Sequence, residues 1–189
     1  MYLKNKLLSG QKVVGTMLTM VYNPNMIWVL KNAGLDYIFI DCEHGTFSFE
    51  QVSNLTSICR ALKMGVIVRT PATDKQNIQK LSDMGIDGIM VPMVEDARQM
   101  EEANYYARYK PLGNRGMTLG AIVDFDTRVD LVKTINDIND EFIIIAQIET
   151  MKGVAEIENI LSVKGVDAIM FGIYDMTISY GMPGQISIL

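Results

Sequence analysis

Residues 142–175 read FIIIAQIET, then MKGVAEIENILSVKGV, then DAIMFGIYD. The two outer pieces are short apolar runs of strand length. The middle piece has the apolar spacing of a helix. Each outer run ends in one acid, Glu149 and Asp175. In a parallel sheet the C-terminal ends of the strands share one edge, so both carboxylates are expected to project into one mouth. Two acids there are a seat for a hard divalent cation. The alternative is that each acid only caps the helix that follows it.

The same unit recurs through the chain. Strand-like runs cover 13–19, 37–40, 66–68 and 89–94, with tips near 19, 43, 69, 93, 149 and 175. The first four tips, and the last two, are 24 to 26 positions apart. Helices are expected between them. One opens at Asn23-Pro24 and closes at Gly34, with Ile27, Leu30 and Ala33 on one face. Another opens at the capping box Ser48-x-x-Gln51. A third is expected to open at a second box, Thr73-x-x-Gln76, and to stop at Gly85. Asp96 caps a fourth that runs to about Tyr109. An irregular glycine-rich stretch, 110–126, precedes a last helix marked by Val129, Val132, Ile135 and Ile138.

Strands alternating with helices predict a parallel α/β sheet. No G-x-G-x-x-G follows the first strand, which disfavours a dinucleotide-binding fold. A (β/α)8 barrel fits the spacing but typically needs about 250 residues. The expectation is therefore one domain over 1–189, an incomplete TIM-type barrel of about six βα units.

Composition narrows the function classes. Net charge is −5 and no basic stripe appears, which argues against nucleic acid as a partner. No apolar run is long enough to cross a bilayer. The lead-in MYLKNKLLSGQK lacks the apolar core of a secretory signal, and two cysteines, Cys42 and Cys59, suit a reduced, cytoplasmic protein. The 14 methionines lie mostly in apolar runs and read as core.

Several residues could carry chemistry. His44, the only histidine, follows the second strand in Asp41-Cys42-Glu43-His44. A histidine beside acids at a strand tip can act as a base near neutral pH, and by alternation Asp41 or Glu43 could orient it. Arg69 ends the third strand, where a guanidinium can clamp a carboxylate or an enolate oxygen. Arg115 lies in the glycine-rich stretch and could pin it or touch substrate. Asp83 and Asp87 flank Gly85 at the opposite end of the sheet and read as caps or surface charges. No lysine sits at a strand tip, so a Schiff-base mechanism lacks a candidate and metal-assisted enolate chemistry is favoured.

In order and spacing, IDCEHG (40–45), VRTP (68–71), LSDMGIDGIMVPMV (81–94), YKPLGNRG (109–116), QIET (147–150) and GVDAIMFGIYDMTISYGMPGQ (165–185) resemble the metal-dependent (class II) pyruvate aldolases of the HpcH/HpaI family. The resemblance spans nearly the whole chain and implies a modified TIM barrel. It implies that Glu149 and Asp175 hold Mg²⁺ or Mn²⁺. It assigns the enolate to Arg69, and the proton transfer to His44 paired with Asp41. It brings Asp83 into a neighbouring subunit's site, and substrate contact to Arg69, Gly172, Tyr174 and Asp175. The implied assembly is a homo-oligomer, a hexamer in the family. The substrates it implies are a 2-oxo acid, pyruvate or a close analogue, and an aldehyde.

The chain also departs from the family. Gly172-Ile173-Tyr174-Asp175 stands where G-P-x-D is common, and the stretch after Gly116 follows the family poorly. The family continues through two more βα units and a C-terminal helical region that swaps between subunits. A chain ending at 189 is therefore expected to leave two strand edges open and to fold poorly, aggregate or pair with another copy. Two rivals remain beside the aldolase reading: a citrate-lyase-like enzyme acting on a CoA thioester, and a catalytically inert truncated barrel.

Overall fold

Each expected strand forms, and β1, β4 and β6 are shorter than the apolar runs that announce them. They are β1 (Gly15–Leu18), β2 (Tyr37–Asp41), β3 (Gly65–Arg69), β4 (Gly88–Val91), β5 (Ile143–Ile148) and β6 (Ala168–Phe171). They pair in chain order, every neighbouring pair parallel. The structure, a computed structural model, describes residues 3–188. Met1, Tyr2 and Leu189, to which the readings of the lead-in and of the chain end extend, lie outside the described residues.

Alternation along the strands sorts side chains into two layers. Ile38, Ile40, Val66, Val68, Ile89, Val91, Ile144, Ala146 and Ile148 face outward into one fully buried core. The helices that follow the strands cover that face: α2 (Asn25–Asn32), α3 (Phe49–Ala61), α4 (Lys75–Asp83), α5 (Ala97–Ala107) and the short α7 (Met151–Ala155) and α8 (Ile157–Ser162). Phe39, Ile67, Met90 and Ile143 face the other way, into a second cluster with Leu3. Here the sheet curls. Gly15 and Met17 of β1 and Ala168 and Met170 of β6, from the two opposite edges, line one apolar cavity of about 360 Å³. The architecture is an open, curled part of a barrel, in which β1 and β6 each have one strand neighbour among the described residues.

Four expectations are corrected. The lead-in contains a helix, α1 (Leu3–Leu8), whose Leu3 fills the base of the curled sheet at 2% exposure. α4 is capped by Asp74, which accepts from the N–H groups of Gln76 and Asn77, not by Thr73; a carboxylate is the stronger cap of two adjacent candidates. The single helix expected between β5 and β6 breaks at Glu156 into α7 and α8. Asp175 is not a strand end. β6 stops at Phe171, and Asp175 lies in the first turn of α9 (Ile173–Ser179). α6 (Leu131–Glu141) leads into β5 as expected.

The base of the sheet carries a repeated device. Gly34-Leu35-Asp36, Gly85-Ile86-Asp87 and Gly165-Val166-Asp167 precede β2, β4 and β6. Each glycine has positive φ (+90°, +78° and +101°), which only glycine adopts without strain. Each aspartate accepts the backbone N–H of a residue within one position of the start of the previous strand: Val14 (2.9 Å), Val66 (2.8 Å) and Ile144 (2.9 Å). The clamp fixes the register of alternate strand pairs, and register decides which side chains face the mouth. α1 then bridges the two margins from below. Lys6 pairs with Asp36 at 2.6 Å and Lys4 with Asp167 at 2.7 Å.

Candidate active site

The inward rows turn from apolar to polar as they climb. Phe39 is followed two residues on by Asp41, Ile67 by Arg69, and Ile145 by Gln147 and then Glu149. Asp41 and Arg69 are direct partners in the β2–β3 ladder, so their side chains stand side by side. Arg69 Nε donates to Asp41 Oδ1 at 2.8 Å and Nη2 to Oδ2 at 2.7 Å, a two-pronged pair. Nη1 donates to Gln147 Oε1 at 3.3 Å and lies 3.2 Å from Glu43 Oε2. Burial alone would push the Asp41 carboxyl up, but the hydrogen bonds and charge of Arg69 outweigh it and hold that carboxyl below the usual range.

Glu149, 2% exposed, sits one residue beyond β5. Its Oε2 accepts from Gln147 Nε2 at 2.6 Å and its Oε1 from the N–H of Met93 at 2.8 Å. Met93 reaches that position with a left-handed backbone, φ +50°, unusual for a side chain of its size. Burial raises the Glu149 carboxyl above its ordinary value; the Met93 N–H opposes this, and the nearby charges of Glu43 and Asp175 add to it. Gly172 packs against the same group: a Cβ there would lie 2.2 Å from Glu149 Oε2.

His44 stands at the rim, its side chain 68% exposed. The expected pairing with Asp41 is not what the fold builds. The Asp41 carboxylate is taken by Arg69, its ladder partner, and Oδ1 also accepts the backbone N–H groups of Glu43 and His44. The acid nearest the imidazole is Glu43, with Oε2 3.6 Å from Nε2. Asp175 and Tyr174 lie exposed on α9. Cys42, beside the cluster, has its thiol pushed up to about 11 by burial and by the Asp41 charge, which leaves it a poor nucleophile.

Asp83 ends α4 at the base of the sheet, away from this mouth. Its Oδ1 accepts from Arg115 Nε (3.0 Å) and Nη2 (2.8 Å). The Arg115 side chain is fully buried and lies over the Tyr109 ring at 4.8 Å. A cavity of about 500 Å³ also opens at this end, between Arg60, Asp87, Asp124, Asp137 and Glu141. Asp124 is matched by Arg60, Asp137 by Lys133, and Asp87 holds the Val66 N–H. It contains no convergent set like the one at the mouth.

Gln147 and Met93 were not singled out by the sequence. Gln147 was findable, two residues from Glu149 and therefore on the same strand face. The Met93 N–H carries no sequence signal.

Among the described residues no three His, Cys, Asp or Glu side chains lie close enough to enclose a metal ion. A hard cation that keeps several waters needs only one or two carboxylates from the protein. Glu149 and Asp175 supply oxygen donors of that kind, and the side-chain-free Gly172 leaves Glu149 the room it occupies. The donor set fits Mg²⁺ or Mn²⁺ better than a soft metal.

Known proteins resemble this chain along most of its length. Residues 17–187 match the family described as HpcH/HpaI aldolase/citrate lyase. The chain is 32% identical over 185 residues to a 4-hydroxy-2-oxovalerate aldolase of Novosphingobium aromaticivorans, covering 97% of this chain and 69% of that one. It superposes on the crystal structure of an HpcH/HpaI aldolase from Desulfitobacterium hafniense DCB-2 with a TM-score of 0.95 and 42% identity, over 99% of this chain and 72% of that one. It is also similar to the citrate synthase SbnG, with a TM-score of 0.88 and 32% identity, over 98% and 71% of the two chains.

Proposed function

The chain belongs to the HpcH/HpaI aldolase/citrate lyase family, and on that premise we propose that it reversibly cleaves a 4-hydroxy-2-oxo acid to pyruvate, or a close 2-oxo acid, and an aldehyde. The observation that carries this reading is Arg69, fixed by Asp41 and Gln147 beside the buried Glu149 at the mouth of the curled sheet. A guanidinium has five N–H donors. Three make the bonds described and Nη1 also faces Glu43, which leaves the second N–H of Nη2 for a developing enolate oxygen.

Glu149 and Asp175 would hold a divalent cation, Mg²⁺ or Mn²⁺, which when bound supplies Lewis-acid polarisation of the 2-oxo acid. His44 takes the proton of the 4-hydroxyl. The C3–C4 bond breaks, the aldehyde leaves, and the electron pair passes into the enolate opposite Arg69; protonation at C3 gives the 2-oxo acid. Gly172 and Tyr174 border the substrate. In a cytoplasmic homo-oligomer, Asp83 would serve a neighbouring subunit's site, with Arg115 holding its Oδ1. No described helix is long and apolar enough to cross a membrane.

The test is aldol cleavage of 4-hydroxy-2-oxo acids by the purified chain. EDTA should abolish it, Mn²⁺ or Mg²⁺ should restore it, and borohydride with pyruvate should trap nothing. A covalent pyruvyl-lysine adduct found by mass spectrometry contradicts the proposal. The second reading, a lyase acting on a CoA thioester, is supported by the likeness to a citrate synthase. Turnover of acyl-CoA with none of free 2-oxo acids puts it first.

A further inference from the structure

We infer that Glu43 is a positioning residue for this reaction, the acid that sets His44 in register with Arg69. The inference rests on the aldolase reading above. Glu43 Oε2 is buried yet makes no hydrogen bond of proper geometry among the described residues. Buried polar atoms rarely go unsatisfied, and those that do call for a reason. The reason here is what surrounds the atom. Arg69 Nη1 lies 3.2 Å from it and His44 Nε2 3.6 Å from it. One oxygen is thus shared between the group that meets the enolate and the group that moves the hydroxyl proton.

The other acids of the cluster are engaged elsewhere. Asp41 gives both oxygens to Arg69, and Glu149 gives its own to Gln147 and Met93. An imidazole that is 68% exposed has many rotamers open to it, and Glu43 is the acid within reach to select one. The 3.6 Å separation is too long for a hydrogen bond. Contacts of this kind tighten when substrate excludes water from the site.

The chain offers a direct probe, because His44 is its only histidine and its imidazole signals in a ¹⁵N–¹H spectrum need no assignment. Glu43→Gln keeps the shape and removes the charge; Glu43→Asp keeps the charge and draws the oxygen back. Glu43→Gln should move the imidazole signals while resonances of β4 and β5 stay in place. It should lower kcat for aldol cleavage about 10- to 100-fold, a share of the ~10²–10⁴ a general base supplies, with KM for the oxo acid changed less than about threefold. Glu43→Asp should recover part of kcat.

Unmoved imidazole signals, or wild-type kcat in Glu43→Gln, overturn the inference. If Glu43→Gln does not fold, Glu43→Asp carries the same two readings, since withdrawing the oxygen must still shift the imidazole. A wild-type chain without aldolase activity defeats the functional reading, while the imidazole spectrum still decides whether Glu43 holds His44.

Discussion

The centre and the margins of this sheet are built to different standards. Every residue of β3 is buried; in β6 only Ile169 is even half-buried, and Ala168, Met170 and Phe171 are exposed. The site divides the same way. Asp41, Gln147 and Glu149 are 1–3% exposed and Arg69 9%, all at the ends of central strands. Asp175 and Tyr174 stand exposed beyond β6, at a margin. The enolate side of the site is therefore preorganised by the core, because the clamps at the base fix the strands that carry it. The α9 side rests on one strand neighbour and on the stitch that α1 makes between Asp36 and Asp167.

The contrast can be broken by experiment, most severely at Arg69. Arg69→Ala leaves Asp41 buried and unpaired, which should cost about 3–5 kcal/mol of stability. It should also remove both aldol turnover and exchange of the pyruvate methyl protons. Chemical denaturation and NMR exchange check the two halves. A stable, exchanging variant would mean that Arg69 is neither a keystone nor an enolate partner.

Core truncation sharpens the comparison. Ile144→Ala, at a fully buried position of β5, should cost about 2–5 kcal/mol. Met170→Ala, 39% exposed in β6, should cost less than about 1 kcal/mol. Equal losses in urea unfolding would erase the distinction between centre and margin.

The clamps differ in a way pH can read. Burial pushes the Asp87 carboxyl up from 3.8 to about 6, whereas Asp36, bonded to Lys6, is held below its ordinary value. Between about pH 4 and 6 the folded chain binds the Asp87 proton more tightly than the unfolded chain does. The Asp87 contribution is thus present below pH 4 and lost as pH rises through 6, roughly 3 kcal/mol in size. Asp87→Asn keeps the acceptor for the Val66 N–H and removes the charge. Its melting temperature should match wild type near pH 4 and exceed it at pH 7; a gap of equal size at both would refute the assignment. The smallest effect is expected at the stitch. Lys4→Ala should cost at most about 1 kcal/mol, as partly exposed ion pairs do, and should disappear against wild type in high salt.

Much of this was legible in the chain. The 24- to 26-residue step gave strands and order, because a βα unit that buries both strand faces leaves an unbroken apolar run. Alternation put Asp41 and Glu43 on one face, but which acid takes Arg69 depends on the β2–β3 register, a long-range quantity. AIMFGIYDM stays apolar past Gly172, where the strand has already ended, so the pattern alone puts Asp175 at a strand end. Leu3 and Leu7 are too few to announce α1 in the sequence; its place is decided by the cavity it plugs. The Gly-x-Asp clamps at 34–36, 85–87 and 165–167 are readable in the chain as an internal repeat.

The central claim is that Arg69, held by Asp41 beside Glu149, stabilises a pyruvate enolate. The direct measurement is proton NMR of pyruvate in D₂O with the wild-type chain and no aldehyde, so that enolate formation is seen without bond cleavage. The account predicts that the methyl signal decays as deuterium enters, that EDTA stops the decay, and that Mn²⁺ or Mg²⁺ restores it. A methyl signal that persists with metal present, or a decay that EDTA leaves untouched, would contradict it.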